Sequence, residues 1–598
     1  DYAGERPLQG MPYALPGLDE DRLAVLRNWL ENDARGVALT APGEAEQRAV
    51  ADWEAFLNGA SKRERLMSRY IYEHLFIGTL YFDDLPRRSA RYALVRSRTP
   101  PGQPIDLIAT RRPYDDPGAD TFYYRLQRRE LTALAKRHMP YVLNEARMER
   151  WQELFLEPEY SVDTLPGYDS EASANPFITF QQLPVGARYR FMLDEAQFTI
   201  MAYIKGPVCR GQVALNVIDD HFWVAFADPS FTDRPGLAAF LAEHARDMRL
   251  PQAKGSLIVT LLQWQGYARS HRRYLEAEAE RAAEVIEGRQ LQLDLNLIWD
   301  GGAGNNDNAA LTVFRHFDSA TVVKGFVGQQ PKTMWLIDYS LLERIHYLLV
   351  AGFDVYGAVG HQLESRLYMD FLRMEGEHTF LLFLPENERK KKLAYWYRDA
   401  RRHVRNHLAP MRKYELPTAI DYSTSDPKAE FMQMLGEHIP AADNRRYRVR
   451  DPLLNVLMSE AQESFSFMPE VAFLQVLDRR GERRYYSLIH NQAFLNNAQL
   501  FREEDRRVPQ EDTLTVARGF VGAYPNMFFQ VAEKELERFV AAVRGLTSAD
   551  DYTRLVDRYG VRRSAPWFWK FSDDVHDEYR ARYPSEAGLF DLNRYENR

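Results

Sequence analysis

Cysteine is almost absent from this chain. Its 598 residues hold one, Cys209, so no disulfide can close within it. Long apolar runs are missing too. No stretch approaches the roughly 18 uninterrupted apolar residues of a membrane span, and the best one, from Leu341 onward, is broken by Glu343, Arg344 and His346. Any membrane contact is therefore expected to be peripheral. A surplus of positive charge is also lacking: Lys+Arg 77 against Asp+Glu 85 leaves a formal charge of −8. That argues against a general nucleic-acid binder, which needs a basic face. There is no Walker A loop, no G-x-G-x-x-G after a strand and no G-x-S-x-G elbow. ATP hydrolysis, Rossmann-type nicotinamide chemistry and α/β-hydrolase chemistry are thus unsupported, and no nucleotide cofactor is expected. The chain begins at Asp1 without a signal peptide, which fits a processed or truncated N-terminus.

What is present reads as an ordinary globular protein, 45% hydrophobic and 27% charged. The most informative stretch is Leu183 to Pro229. Tyr189, Met192, Leu193, Ala196, Ile200 and Tyr203 fall at helical spacing. Gly206-Pro207 stops that helix. A tight corner follows with Cys209, Arg210 and Gly211. A second short helix, Gln212 to Ile218, leads into Asp219, Asp220, His221, Phe222 and Trp223. A thiol, a guanidinium, two carboxylates and an imidazole thus cluster beside two helix breakers, a common place for function. A buried helix pair with satisfied polar ends explains the same residues.

Around this centre, Asp19 reads as the N-cap of a helix ended by Gly36. Residues 45 to 82 are mostly helical, with His74 a core histidine. Strands are expected at 91–98, 105–110 and 122–127. His138-Met139-Pro140-Tyr141 precedes a helix carrying Arg147, Arg150 and Trp151, and the Pro- and Asp-rich residues 157 to 182 read as a linker. Residues 233 to 288 read as charged helix. Residues 290–299 and 308–317 read as a hairpin closed by the loop from Asp300 to Asp307, which has calcium-ligand residue types without EF-hand spacing.

An internal repeat stands out. Lys324-Gly325-Phe326-Val327-Gly328-x-x-Pro331 recurs as Arg518-Gly519-Phe520-Val521-Gly522-x-x-Pro525, and Leu342-Glu343-Arg344 recurs as Leu536-Glu537-Arg538. The offset is constant, 518 − 324 = 538 − 344 = 194. A fainter third copy runs from Tyr141 to Arg150. Each copy reads as strand, glycine-cornered turn, strand, helix, with His316 and His490 ahead of the two clear copies. Between them, residues 390 to 407 read as a basic amphipathic helix. Lys390, Lys391, Lys392 and Arg398 stand with Trp396 and Tyr397, a combination suited to a lipid interface.

The words MPYALPGL, KRHMPYVL, GPVCRGQ and SLIHN, spread along the whole chain, resemble the bacterial fatty acid cis–trans isomerases, which are periplasmic enzymes with c-type haem. The resemblance implies an enzyme converting cis-unsaturated acyl chains of phospholipids and fatty acids to trans without shifting the double bond. For that reaction the residue chemistry of the central stretch offers Cys209, Arg210 and His221 as candidate catalytic residues and Phe222 and Trp223 as lining of the acyl slot. It also implies that Met11, in its M-P loop, is an axial ligand of haem iron. The family's C-x-x-C-H attachment motif has no counterpart here and is expected upstream. The implied fold is α+β. Residues 1–40 end a cytochrome c-like domain, 41–180 form a helical and short-strand region, 181–290 a central helical region, and 291–598 the duplicated part. A non-catalytic periplasmic lipid-binding or lipid-transfer protein is the competing class, and a haem-free structural partner of a separate cytochrome is a third.

If Met11 ligates iron, Met11→Ala in haem-loaded protein lowers the reduction potential and abolishes the thioether-to-ferric charge-transfer band. An unchanged spectrum and potential would show that Met11 is no ligand.

Overall fold

Helix starts follow the local sequence. Asp19 Oδ1 accepts the Arg22 N–H at 2.9 Å and opens α1 (Glu20–Glu31). Ser61 and Glu64 form a reciprocal capping box ahead of α3 (Lys62–Leu75), which follows α2 (Glu44–Leu57). The end of α1 differs from expectation. It closes at Asn32, and Asp33 and Ala34 supply the left-handed turn with φ of 60° and 49°, so Gly36 is not needed. The computed structural model describes residues 15–36, 41–85, 90–129, 134–205, 217–251, 261–288, 291–317, 319–351, 359–398, 415–495 and 503–596. Met11, Cys209 and Arg210 lie outside them, as do 212–216 of the expected second short helix.

Among the described residues, three four-stranded sheets organise the chain. The first contains β1 (Thr79–Phe82), β2 (Arg91–Ser97), β3 (Tyr123–Arg129) and β4 (Pro140–Leu143). The second contains β5 (His221–Phe226), β6 (Ala310–His316), β7 (Ser319–Lys324) and β8 (Met334–Ile337). The third contains β9 (Val471–Leu477), β10 (Arg483–Asn491), β11 (Thr513–Arg518) and β12 (Met527–Ala532). All three share one topology, with spatial order third, second, first, fourth. In each, the second strand pairs antiparallel with the first and third, and the fourth runs parallel to the first.

Each fourth strand feeds a helix: α4 (Glu145–Phe155), α8 (Tyr339–Ala351) or α11 (Leu536–Arg544). The two glycine motifs hold equivalent places. Gly325 follows β7 and Gly519 follows β11, with φ of 88° and 87°.

Helices cover the first two sheets. α5 (Val185–Leu193) and α6 (Ala196–Lys205) precede β5. The single helix expected there breaks at Asp194-Glu195, whose carboxylates turn to Arg150 and Arg147 of α4. α7 (Leu261–Glu287), α9 (Val359–Leu381) and α10 (Glu386–Trp396) complete the layer. One apolar cluster joins the first two sheets to these helices, and a second fills the third sheet and the C-terminal helices. A small third cluster, including Phe314, Val327, Ile489 and Val521, links sheets two and three.

Several expectations fail for physical reasons. Residues 290–299 and 308–317 do not pair with each other. β6 takes β5 and β7 as neighbours because its side chains are buried on both faces, while Leu295–Leu297 is a 3-10 turn. Residues 157 to 182 are no linker, since Val162, Phe177 and Phe180 are buried. Within 105–110 there is only a bridge from Leu107 to Ser97. The basic helix runs from Glu386 to Trp396, with its last turn closed by the Tyr397 N–H on Leu393, and 399–414 lie outside the described residues. The Asp300–Asp307 loop is a turn, in which Asp300 caps the Ala303 N–H at 3.1 Å.

Gly325 cannot take a side chain. An added Cβ would stand 2.5 Å from Asn444 Cβ and 3.1 Å from the Ala442 carbonyl oxygen, at a φ that L residues avoid. Gly325→Ala should destabilise the protein by about 1–3 kcal/mol. Gly36→Ala, with nothing within 4 Å, should be near neutral. Thermal unfolding of the two variants checks this, and equal midpoints would refute it.

Candidate functional site

A helix that buries charge needs partners for it, and α9 buries Glu364, Arg366, Asp370, Arg373, Glu375, Glu377 and His378. Arg344 of α8 grips Glu375 with two hydrogen bonds of 2.9 and 2.5 Å, and His271 Nε2 of α7 reaches the same carboxylate at 2.9 Å. Burial opposes ionisation of Glu375, but Arg344 and His271 more than offset it, and its carboxyl is held well below the usual range. On the far side of α8, Glu343 accepts from the Tyr70 hydroxyl and contacts His74 Nε2, both at 2.9 Å. The His74 ring stacks on His346 at 4.5 Å and 7°. Burial, reinforced by His74, keeps His346 neutral, well below its ordinary value.

The open part of this layer is a small cleft, about 230 Å³ with its mouth, lined by Asp219, Lys332, Arg373, Glu377, Trp396 and Tyr397. Arg373 donates to Glu377 at 2.6 Å and to Asp370 at 2.8 Å. Lys332 Nζ lies 3.9 Å from Asp219 and donates to the Phe494 carbonyl. Burial pushes the Glu377 carboxyl up to about 7, with Asp219 adding to the shift while Arg373 and Lys332 oppose it. Close by, burial pushes the Lys428 amine down to about 8, with Lys392 and Lys332 adding to it. A carboxyl and an amine so displaced can hold or exchange a proton near neutral pH.

The cleft joins two stretches that the sequence singled out separately. Asp219 follows the Cys209 corner, and Trp396 and Tyr397 end the basic helix. Lys332, Arg373 and Glu377 were missed. The readable signal was α9 itself, whose charges recur on every turn and leave no polar face for solvent. The other predicted residues lie elsewhere. His221 is buried on β5, its ring stacked on Phe314 at 4.9 Å and its Nε2 donating to the Val327 carbonyl at 3.0 Å. Phe222 stacks on Trp335 and Trp223 on Phe326, at 4.5 and 4.4 Å, so both fill the core. Lys390 and Lys391 are exposed, but Lys390 pairs with Glu386 and both Lys391 and Lys392 with Glu388, and Arg398 lies over the Tyr395 ring. Trp396, expected at a lipid surface, is buried because its face of α10 packs inward.

The whole chain can be placed by comparison. Residues 1–597 match the family model described as Fatty acid cis/trans isomerase (CTI). The chain belongs to that family. It is therefore an enzyme, and a fatty acid is its substrate. No curated protein matches it, and no solved structure does.

The His221 geometry makes a pH prediction. Burial lowers its value to about 4 from the ordinary 6.5. The unfolded chain thus binds an extra proton between those values, and stability present above pH 6.5 is lost as pH falls toward 4. Between pH 7.5 and pH 5 the loss from this group is about 2 kcal/mol. His221→Asn should lower stability at pH 7.5 but flatten the acid dependence by that amount. Urea midpoints at the two pH values measure it, and parallel losses in both proteins would refute a neutral, structural His221.

Proposed function

We propose that this isomerase converts cis-unsaturated acyl chains to trans, both in free fatty acids and in membrane phospholipids, without moving the double bond. The family match over residues 1–597 carries the reading. The reaction adds and removes no atoms. The π bond must be weakened, rotated and re-formed, so the protein's share is to hold the chain in a dry apolar setting and keep competing protons and water from the alkene.

The resemblance to periplasmic enzymes supports a periplasmic location and haem c as the group that weakens the π bond. The described residues do not by themselves form a haem c site. Covalent attachment through C-x-x-C-H takes two cysteines and the sequence has one, and among the described residues no cluster of His, Cys, Asp and Glu could hold a metal. In this reading the attachment motif lies outside these residues and Met11 offers the thioether. Residues 1–40 would then end a cytochrome c-like domain.

Peripheral contact with anionic lipid would rest on the exposed Lys390 and Lys391 rather than on Trp396. No described helix is long and apolar enough to cross a membrane. The shared topology and constant offset support descent of the three sheets from one repeated unit.

Purified protein, expressed with its upstream segment and the haem-attachment machinery, should turn cis-monounsaturated acids and the acyl chains of phospholipid vesicles into trans isomers with the double bond in place, with no added nucleotide. Gas chromatography of the methyl esters reads this, and an absorption spectrum reads haem. No trans product from either substrate would sink the catalytic reading in favour of lipid binding alone. A missing Soret band would sink the haem assignment.

A further inference from the structure

A second, larger groove lies away from the cleft and is assigned no role so far. It encloses about 420 Å³, within the size range of small-ligand sites, about 300–1000 Å³. It forms where the end of α2, the first turns of α3, the start of β3 and the segment around Tyr168 meet. Its floor is apolar, with Leu66 and Tyr124 buried. Phe122 and Tyr168 stand in its wall, backed by cations. Arg69 lies 4.0 Å from the Tyr168 ring, and Arg96 lies 5.8 Å from Phe122 and 5.9 Å from Tyr168. These contacts fix the aromatic wall before any ligand arrives.

Charge at the groove is asymmetric. Arg69 is spent, since it bonds Glu73 at 2.7 Å and the Pro166 and Gly167 carbonyls at 2.9 Å. Arg65 is not. It lies exposed among the groove's lining residues and has no ion pair among the described residues, although the exposed Asp120 lines the same groove. A groove with an apolar floor, an aromatic wall and an exposed guanidinium beside it is complementary to a long chain that ends in an anion.

We propose that this groove binds the substrate as a free long-chain carboxylate, with the acyl chain along Leu66, Phe122 and Tyr168 and the carboxylate on Arg65. The proposal rests on the fatty acid reading of the family. Beneath the groove, Arg69 leads through Glu73 to the Tyr347 hydroxyl, so a bound chain lies directly over the buried polar layer that α3 shares with α8.

Binding is measured on the full chain by titration calorimetry, with oleate and oleyl alcohol as probes. Arg65→Glu should weaken oleate about five- to tenfold and leave oleyl alcohol within twofold, since exposed ion pairs are individually modest. Asp120→Asn should tighten oleate by a few-fold, an outcome that a merely damaged fold cannot produce. Thr121→Trp, which fills the groove from its edge, should weaken both probes. Equal oleate binding by parent, Arg65→Glu and Thr121→Trp overturns the proposal, as does a parent that binds no oleate. Trans product assayed on the same preparations separates the two readings. Oleate held in the groove without isomer formation keeps the groove and refutes the catalysis. Isomer formation with binding unmoved by all three variants refutes the groove and keeps the enzyme.

Discussion

Desolvation of charge is the constraint on which this structure depends. Removing an ion from water costs several kcal/mol even after relaxation, and α9 carries a carboxylate or guanidinium inward on nearly every turn. Such a helix is stable only if its neighbours bring opposite charge to set positions. Arg344 and His271 do so for Glu375, and Arg373 does so within α9 for Asp370 and Glu377. The relative register of α7, α8 and α9 is thereby fixed more tightly than apolar packing alone would fix it. The same logic extends through α8 to α3, where Glu343 and Glu73 take their partners from Tyr70, His74, Arg69 and Tyr347.

The sheets answer a second demand, that of backbone hydrogen bonding in a buried setting. In each, a short fourth strand runs parallel beside the first, and the chain then leaves as a helix that covers the sheet. Sheets two and three are joined by chemistry at their edges. Asp220 accepts from Arg315 of its own sheet and from the Gln492 N–H at 3.0 Å, just beyond β10. Gly328 permits the approach, since a Cβ there would meet Thr515 Oγ1 at 2.6 Å.

Openings occur where these demands leave something unsatisfied. The cleft at Asp219 is the place where the buried charges meet an opening, and there one carboxyl and one amine are displaced toward neutrality. The groove over α3 is the place where the exposed Arg65 stands beside an aromatic wall, with Asp120 also in the lining. One site offers protons and fixed charge and the other offers an apolar slot, and an enzyme acting on fatty acids has use for both.

The sequence by itself determined much of the local structure. Asp19 and Ser61 announced their helices, glycines at 325 and 519 marked the turns after two strands, and long specific words disclosed the family. These are short-range facts, set by capping, φ preference and residue identity. The partner of β6 was not legible, because a strand buried on both faces has no alternation to show which neighbour it takes. The fate of Trp396 was not legible either, since an amphipathic stripe looks the same whether it meets lipid or core. Nor could spacing reveal that Lys332, Arg373 and Glu377 converge with Asp219. Their separation along the chain says nothing until the fold of α9 against β8 brings them within reach of one another, and only tertiary structure decides that.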